Sequence, residues 1–187
     1  AYADGVPMGS DLFGSKENQR SPKFLVAAQK DPVPENSTAT DIQRIQIIKG
    51  WIDSQGQSHE KVYDVAGDVN NGATVNLSSC AAEGAGLKSV CTVWEDPSFN
   101  PSEDAFYYVR LIENPSCRWS TLQCKAAGVD PFSEDCATQA IEKTNALHDD
   151  GARGEIYEKC CVDPAKESFY SPIIQERAWS SPIWYTH

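Results

Sequence analysis

Between residues 105 and 112 the sequence reads Ala105-Phe106-Tyr107-Tyr108-Val109-Arg110-Leu111-Ile112, a nearly continuous run of apolar and aromatic side chains. Such a run is typical of a central strand that is covered on both faces. Further strand candidates precede it, bounded by turn residues such as those at 53–56 and 70–72. They span residues 23–28, 41–51, 61–66, 74–77 and 87–94. The pattern predicts a mainly β protein, more specifically an antiparallel β-sandwich.

Length and charge limit the classes of function. The chain has 187 residues, and 27 acidic against 16 basic side chains give a formal net charge of −11. This length is enough for one domain with a real hydrophobic core. Nucleic acid is not an expected partner, because a phosphate backbone is bound by clustered Lys and Arg. The apolar stretches are too short to cross a bilayer, so no membrane span is expected.

The character of the sequence changes after residue 116. Nine acidic residues stand against three basic ones between residues 130 and 163, strand patterning disappears, and 137–147 is the helix candidate. We therefore expect an irregular lead-in from a preceding domain (1–22) and a β-sandwich (23–116). We then expect an acidic, Cys-rich, partly helical insertion (117–172), followed by a final strand that returns to the sandwich (173–187).

The chain contains seven cysteines, which are Cys80, Cys91, Cys117, Cys124, Cys136, Cys160 and Cys161. Their spacing lacks C-x-x-C pairs and alternation with His, which favours disulfides in an oxidising compartment over a metal cluster or a catalytic thiol. The ten-residue spacer predicts a disulfide between Cys80 and Cys91. The other five cysteines are expected to form two further bridges and leave one thiol over. Adjacent Cys160 and Cys161 are expected to pair with different partners.

One loop carries candidate metal ligands. Asp96, Asn100, Glu103 and Asp104 lie between two predicted strands, and oxygen ligands at loop spacing suit Ca²⁺. The order of these residues does not match an EF-hand, and two prolines rigidify the segment, which favours a structural turn. No cofactor is expected apart from this calcium alternative.

The sequence offers no catalytic or cofactor-binding residue. His59, His148 and His187 are scattered, and G-x-S-x-G, a P-loop and G-x-G-x-x-G are all missing. Glycosylation patterns occur at Asn36-Ser37-Thr38 and Asn76-Leu77-Ser78 and apply to a eukaryotic source. Core packing is expected for most of the tryptophans, with a ligand platform supported by Arg118 or Arg177 as the alternative. The five are Trp51, Trp94, Trp119, Trp179 and Trp184.

Several segments, taken in order, are similar to a known family. They are Gly5-Val-Pro-Met-Gly-Ser-Asp-Leu12, Ile45-Gln-Ile-Ile-Lys-Gly-Trp51, Lys61-Val-Tyr-Asp-Val-Ala66, Val93-Trp-Glu-Asp-Pro-Ser-Phe-Asn-Pro101, Ala105-Phe-Tyr-Tyr-Val-Arg110, Arg118-Trp-Ser-Thr121 and Gln175-Glu-Arg-Ala-Trp-Ser-Ser-Pro-Ile-Trp-Tyr185. Together they resemble the C-terminal part of the bacterial domain-of-unknown-function 3604 (DUF3604) family, from Gly5 to Tyr185.

The resemblance implies an origin and a compartment. Family members are longer, exported proteins whose earlier portion resembles a PHP-type (polymerase and histidinol phosphatase) metal-dependent phosphoesterase. The resemblance implies a periplasmic or secreted location and an N-terminal PHP-like portion as partner. The start at Ala1 is also interpreted as that of a processed piece of a longer protein. The metal-binding His and Asp motifs of a PHP barrel belong to that earlier portion and have no match in this chain. The Cys-rich segment looks like a subgroup elaboration.

The leading hypothesis is a non-catalytic, β-rich region that packs on or shields the hydrolase portion. One alternative is an independent ligand-binding module, for carbohydrate for example, that uses exposed Trp and Arg. Another is a fragment or subunit of a larger assembly. The small-molecule ligand, if there is one, is not identified by the sequence.

Overall fold

The computed structural model describes residues 5–14, 19–32, 39–151, 154–163, 166–167 and 170–187. The chain divides into two compact units. We call them the sheet unit, which comprises Ala1–Ala73, Gly84–Asn114 and Glu176–His187, and the cysteine unit, which comprises Thr74–Glu83 and Pro115–Gln175.

Strands dominate the described residues. They are β1 (Asp11–Phe13), β2 (Lys23–Gln29), β3 (Ile42–Ile52), β4 (Ser58–Gly67), β5 (Thr74–Val75), β6 (Ala82–Glu83), β7 (Ser89–Glu95), β8 (Ala105–Glu113), β9 (Ser116–Cys117), β10 (Ile173–Ile174), β11 (Arg177–Trp179) and β12 (Ile183–Thr186). The helices are α1 (Trp119–Ala126) and α2 (Cys136–Asp149), followed by a 3-10 turn at Glu158–Cys161. The mainly β prediction is confirmed.

The main sheet of the sheet unit has the strand order β1-β12-β8-β3-β4, and β11 also pairs with β8. The aromatic run that begins at Ala105 is therefore a central strand, as predicted. The sheet is mixed rather than antiparallel, because β1 runs parallel to β12 with Leu12 opposite Tyr185. The expectation of an irregular lead-in over 1–22 is wrong for Asp11–Phe13. Those three residues form a strand only because β12 offers them an edge.

A two-stranded ladder covers one face of the main sheet. β2 and β7 pair antiparallel along seven residues, from Lys23 to Gln29. Alternate side chains of β2 point inward, so Phe24 and Val26 pack against Ile47 and Tyr107 of the main sheet. Burying side chains of this size stabilises the fold by about 1.5–3 kcal/mol each. This shared core holds the two layers together.

Both predicted turns form where glycine supplies the required backbone conformation. Gly56 and Gly72 have φ values of +78° and +73°, which side chains with a Cβ rarely adopt. The single final strand expected over 173–187 is wrong, because this segment contains three short strands. β10 pairs with β9 in the cysteine unit, whereas β11 and β12 pair with β8.

The cysteine unit has a small core around helix α2. Cys136, Ala140 and Thr144 are buried, and their spacing of four residues gives the helix one inward stripe. The helix predicted over 137–147 is confirmed. Helix α1 was not predicted, because Thr121 is its single buried residue and no side chain caps its first turn.

Three disulfides join the cysteines: Cys80–Cys117, Cys124–Cys160 and Cys136–Cys161. The predicted Cys80–Cys91 bridge is wrong. Cys91 lies in β7 of the sheet unit with its side chain exposed, whereas Cys80 has Cys117 at a Cα distance of 5.6 Å within the cysteine unit. Two bridges form among the other cysteines of 117–161, and Cys160 and Cys161 have different partners, as expected. The remaining thiol is Cys91 rather than one of those five.

Candidate functional site

A buried ion pair joins the two layers of the sheet unit. Lys49 lies in β3, and Asp96 directly follows β7. The Nζ atom of Lys49 is 2.6 Å from Oδ2 of Asp96, and the two side chains are only 3% and 0% exposed. Because an unpaired charge at such a depth is very costly, both groups require full compensation from their neighbours.

Hydrogen bonds supply that compensation. Oδ1 of Asp96 accepts from the backbone N–H and the hydroxyl of Ser98, at 2.9 and 3.1 Å. Oδ2 accepts from the hydroxyl of Tyr107 at 2.8 Å, in addition to Lys49. Lys49 also donates to the Ser98 carbonyl at 2.9 Å, and its Nζ lies 5.0 Å from the centre of the Trp51 ring.

The titration behaviour of this network follows from burial and hydrogen bonding. Burial raises the pKa of Asp96, but the hydrogen bonds from Lys49, Ser98 and Tyr107 outweigh it and hold that pKa below its usual range. Burial, together with the hydrogen bond to Asp96, raises the pKa of Tyr107. Tyr107 is therefore a proton donor throughout the physiological range, and Asp96 is paired on both oxygens.

The candidate calcium ligands do not converge. Asp96 is occupied by Lys49, and Oδ1 of Asn100 accepts from the backbone N–H of Ser102. Oδ1 of Asp104 accepts from the backbone N–H of His187 and lies 2.8 Å from its ring nitrogen Nδ1, which lowers the pKa of Asp104. The backbone N–H of Glu103 donates to the Asn100 carbonyl. Asp96 and Asp104 are thus paired with Lys49 and His187, whereas Asn100 stabilises the turn between them.

The histidines also have separate partners. His59 Nε2 lies 2.7 Å from Asp53 Oδ2, and His148 Nε2 lies 2.7 Å from the Gly154 carbonyl. In the part of the chain that the structure describes, no three His, Cys, Asp or Glu side chains are arranged to hold a metal ion.

The other face of the main sheet carries exposed aromatic side chains. We call it the outer face and define it by three rows of directly opposite residues on neighbouring strands. The first row is Trp179, Arg110, Gln46 and Asp64, the second is Tyr108, Ile48 and Val62, and the third is Trp184, Phe106, Gly50 and Glu60. Trp179 is 59% exposed and Trp184 49%, and Val62 is 42% exposed. Core packing was expected for most of the five tryptophans, and this expectation is wrong, because three of them are exposed. Trp51 and Trp94 do pack against the core, and Trp119 is exposed.

Phe106 organises the aromatic side chains of the outer face. Its ring centre is 5.3 Å from that of Trp184 and 6.3 Å from that of Tyr108. The same ring extends over Gly50, where a Cβ atom would lie 2.3 Å from the Cζ atom of Phe106. Glycine at this position therefore lets the ring lie across the neighbouring strand.

A row of polar side chains crosses the outer face beside Trp179. Nε of Arg110 donates to Oε1 of Gln46 at 2.8 Å, and Nε2 of Gln46 donates to Oδ1 of Asp64 at 2.8 Å. Aromatic rings flanked by hydrogen-bonding groups suit a partner that has both apolar and polar surface, which is true of a protein surface and of a sugar.

A cavity of about 500 Å³ opens near the end of β1. Its lining includes Leu12, Gly14, Tyr185 and the Lys23–Glu95 ion pair, whose charged atoms are 3.8 Å apart. A surface ion pair of this kind contributes little energy, and the cavity holds no convergent set of reactive groups among its described lining residues.

The predicted glycosylation patterns have different outcomes. Asn36-Ser37-Thr38 lies outside the described residues. The Asn76 side chain donates to Glu83 and accepts from Ser78 and Ser79, so its amide stabilises a turn.

The Lys49–Asp96 pair was missed at the level of sequence because its members are separated by 47 residues. One signal was present. The side chain of Lys49 lies on the same face of β3 as those of Ile45 and Ile47, which is the face that packs in the core. A charged residue in that phase requires a buried partner of opposite charge.

The model of a family described as a protein of unknown function, DUF3604, matches residues 1–146. The chain belongs to the DUF3604 family. No curated protein and no solved structure matches this DUF3604 chain. Its three disulfides indicate an extracytoplasmic location. Among the described residues of the DUF3604 chain, the helices are too short or too polar to cross a membrane.

Proposed function

We propose that this chain is the non-catalytic, β-rich C-terminal region of an exported, periplasmic or secreted, protein and that its outer face packs on a PHP-like hydrolase portion of the same protein. The sheet unit would then act as an open β-sandwich scaffold, interrupted by the disulfide-stapled segment 117–172. The observation that carries the proposal is the exposure of Trp179 and Trp184 on one sheet face.

The energetics of the outer face favour a covered state. A tryptophan side chain that is half exposed leaves on the order of 100 Å² in water, so covering two of them stabilises a complex by about 5 kcal/mol before the costs of association. Arg110 donates through Nε to Gln46, and Gln46 donates to Asp64, so a partner that covers this row has to supply acceptors for the other N–H groups of Arg110.

Among the described residues, no cluster of side chains suits metal-assisted hydrolysis, which favours a scaffolding role. Asp96 and Lys49 neutralise each other in the core, and His59, His148 and His187 each contact a separate partner. Metal-assisted hydrolysis requires several convergent ligands and an open position for water. The catalytic metal is therefore assigned to the earlier portion that the family resemblance implies.

Hydrogen exchange tests the packing directly. We expect the backbone amides of β8 and β12 to exchange more slowly in the longer protein than in this chain alone, while those of β7 do not change. Trp184→Ser should lower the melting temperature of the longer protein by several degrees more than Val93→Ser, a control in β7 whose side chain is 61% exposed. Equal exchange in both proteins, together with equal effects of the two substitutions, would reject the proposal.

An activity assay tests the non-catalytic assignment. The purified chain is expected to hydrolyse neither phosphomonoesters nor phosphodiesters with Mn²⁺, Zn²⁺ or Mg²⁺. Turnover that survives repurification and disappears in His148→Ala would make this chain an enzyme.

A carbohydrate-binding function is the second candidate, and the spacing of the tryptophans favours it. Trp179 lies opposite Arg110 and Trp184 opposite Phe106, which places them about 13 Å apart along β8, with Tyr108 between them. Affinity electrophoresis in soluble polysaccharides separates the two functions. Retardation of the chain that is lost in Trp184→Ala and kept in Trp119→Ala would establish sugar binding in place of docking.

A further inference from the structure

Lys49 and Asp96 bring an amine and a carboxyl group into direct contact in the interior of the sheet unit. We propose that Nζ of Lys49 and Cγ of Asp96 condense to an intramolecular amide bond, which joins β3 of the main sheet to the loop that follows β7. The proposal is independent of the proposed function, because it concerns the interior of the sheet unit.

Proximity and burial favour this reaction. The amine nitrogen is 2.6 Å from Oδ2 of the carboxyl group, so the fold has already met the entropic cost of bringing the two groups together. Both side chains are almost completely excluded from water, which removes the solvent that would hydrolyse the product. The rings of Trp51 and Tyr107 lie 5.0 and 5.8 Å from Nζ and enclose it.

The two oxygens of Asp96 have different environments. Oδ1 accepts two hydrogen bonds from Ser98, through its backbone N–H and its hydroxyl, and this is the donor pattern that stabilises an oxyanion. Oδ2 accepts from the Tyr107 hydroxyl and from Lys49, so it is the oxygen that receives protons. One oxygen is therefore prepared to carry negative charge and the other to leave as water.

The reaction balances with no other reactant. One proton passes from the Lys49 ammonium to Oδ2, which gives a neutral amine and a carboxylic acid. The amine lone pair forms the Nζ–Cγ bond, and the electron pair of the C=Oδ1 bond moves to Oδ1, where Ser98 donates to it. A second amine proton passes to Oδ2, to which the Tyr107 hydroxyl also donates, the Cγ–Oδ2 bond breaks, and water leaves as the C=Oδ1 bond re-forms. The products are one secondary amide and one water, and nothing is oxidised or reduced.

Intact mass of the purified full chain, reduced and denatured, tests the proposal. We expect a mass about 18 Da below that of the sequence, which corresponds to the loss of one water. Lys49→Met should restore the full mass for its own sequence. Lys61→Met serves as the matched control, because Lys61 lies directly opposite Lys49 on β4 and is exposed, and this variant should keep the loss.

Peptide mapping locates the bond. A cross-linked peptide pair joined at Lys49 and Asp96 is the expected result. A wild-type chain at its full sequence mass would overturn the proposal, and so would a loss of water that maps to another position. The wild-type measurement decides the outcome even if Lys49→Met does not fold.

Discussion

Gly50→Ala tests the packing of Phe106 on the outer face, and the structure allows the expected loss of stability to be estimated. The new Cβ would lie 2.3 Å from Cζ of Phe106, well inside van der Waals contact. The ring must therefore move by about 1 Å or more, and forced shifts of this kind cost about 1–3 kcal/mol. Alanine in a strand regains about 0.5–1 kcal/mol relative to glycine, so we expect the free energy of unfolding to fall by about 0.5–2 kcal/mol.

Urea unfolding followed by far-UV circular dichroism measures this loss, and tryptophan fluorescence reports the displaced ring through its neighbour Trp184. The matched control is Gly50→Ala in a Phe106→Ala background, where the obstructing ring is gone and the substitution should be neutral or slightly stabilising. An equal loss of stability in both backgrounds would assign the effect to the backbone and refute the reasoning.

Three further predictions concern the disulfides, a turn and the remaining thiol. Mild reduction should abolish the helical circular dichroism signal of α2, because the cysteine unit has a core of few side chains and depends on its disulfides. The backbone amides of β3 and β8 should stay protected from hydrogen exchange. Loss of protection in β8 would contradict this prediction. His59 and the backbone N–H groups of Gln57 and Gln55 lower the pKa of Asp53, so the turn it caps should be fully formed above the usual carboxyl pKa and lost as the pH falls through the lower folded value. The Gln55 and Gln57 amide shifts should follow that titration in NMR spectra and stay constant in Asp53→Asn. An aromatic disulfide reagent should label one thiol per native chain, at Cys91, and no thiol in Cys91→Ser. Slow labelling of the native wild-type chain would contradict the exposure of Cys91.

Local patterns predicted the long elements well. The apolar run at Ala105–Glu113 and the alternation in β3 gave the central strands, since these segments carry enough side chains to reveal their period. β1 and β11 have only three residues each, and they are strands because distant segments offer them a hydrogen-bonding edge. Sequence neighbours contain no information about such an edge.

The errors about side chains have a similar origin. A short spacer made Cys80 and Cys91 look like a pair, but the phase of β7 points Cys91 outward, and Cys80 meets Cys117 instead. The acidic loop after β7 looked like a calcium site, whereas its first carboxylate, Asp96, belongs to a lysine on another strand. In each case a contact between distant residues decided the outcome.

The path of the chain links the folding of the two units in time. β8 and β11 are neighbours in the main sheet, yet the cysteine unit lies between them in sequence, from Pro115 to Gln175. Pairing them in an unfolded chain closes a loop on the order of 60 residues, and each halving of that length lowers the entropic cost by about 0.6 kcal/mol. Once β9 and β10 have paired, the two ends of the cysteine unit lie side by side and the loop is effectively short. We therefore expect pairing of β9 with β10 to accelerate the closing of the main sheet, although the three disulfides all lie in the cysteine unit.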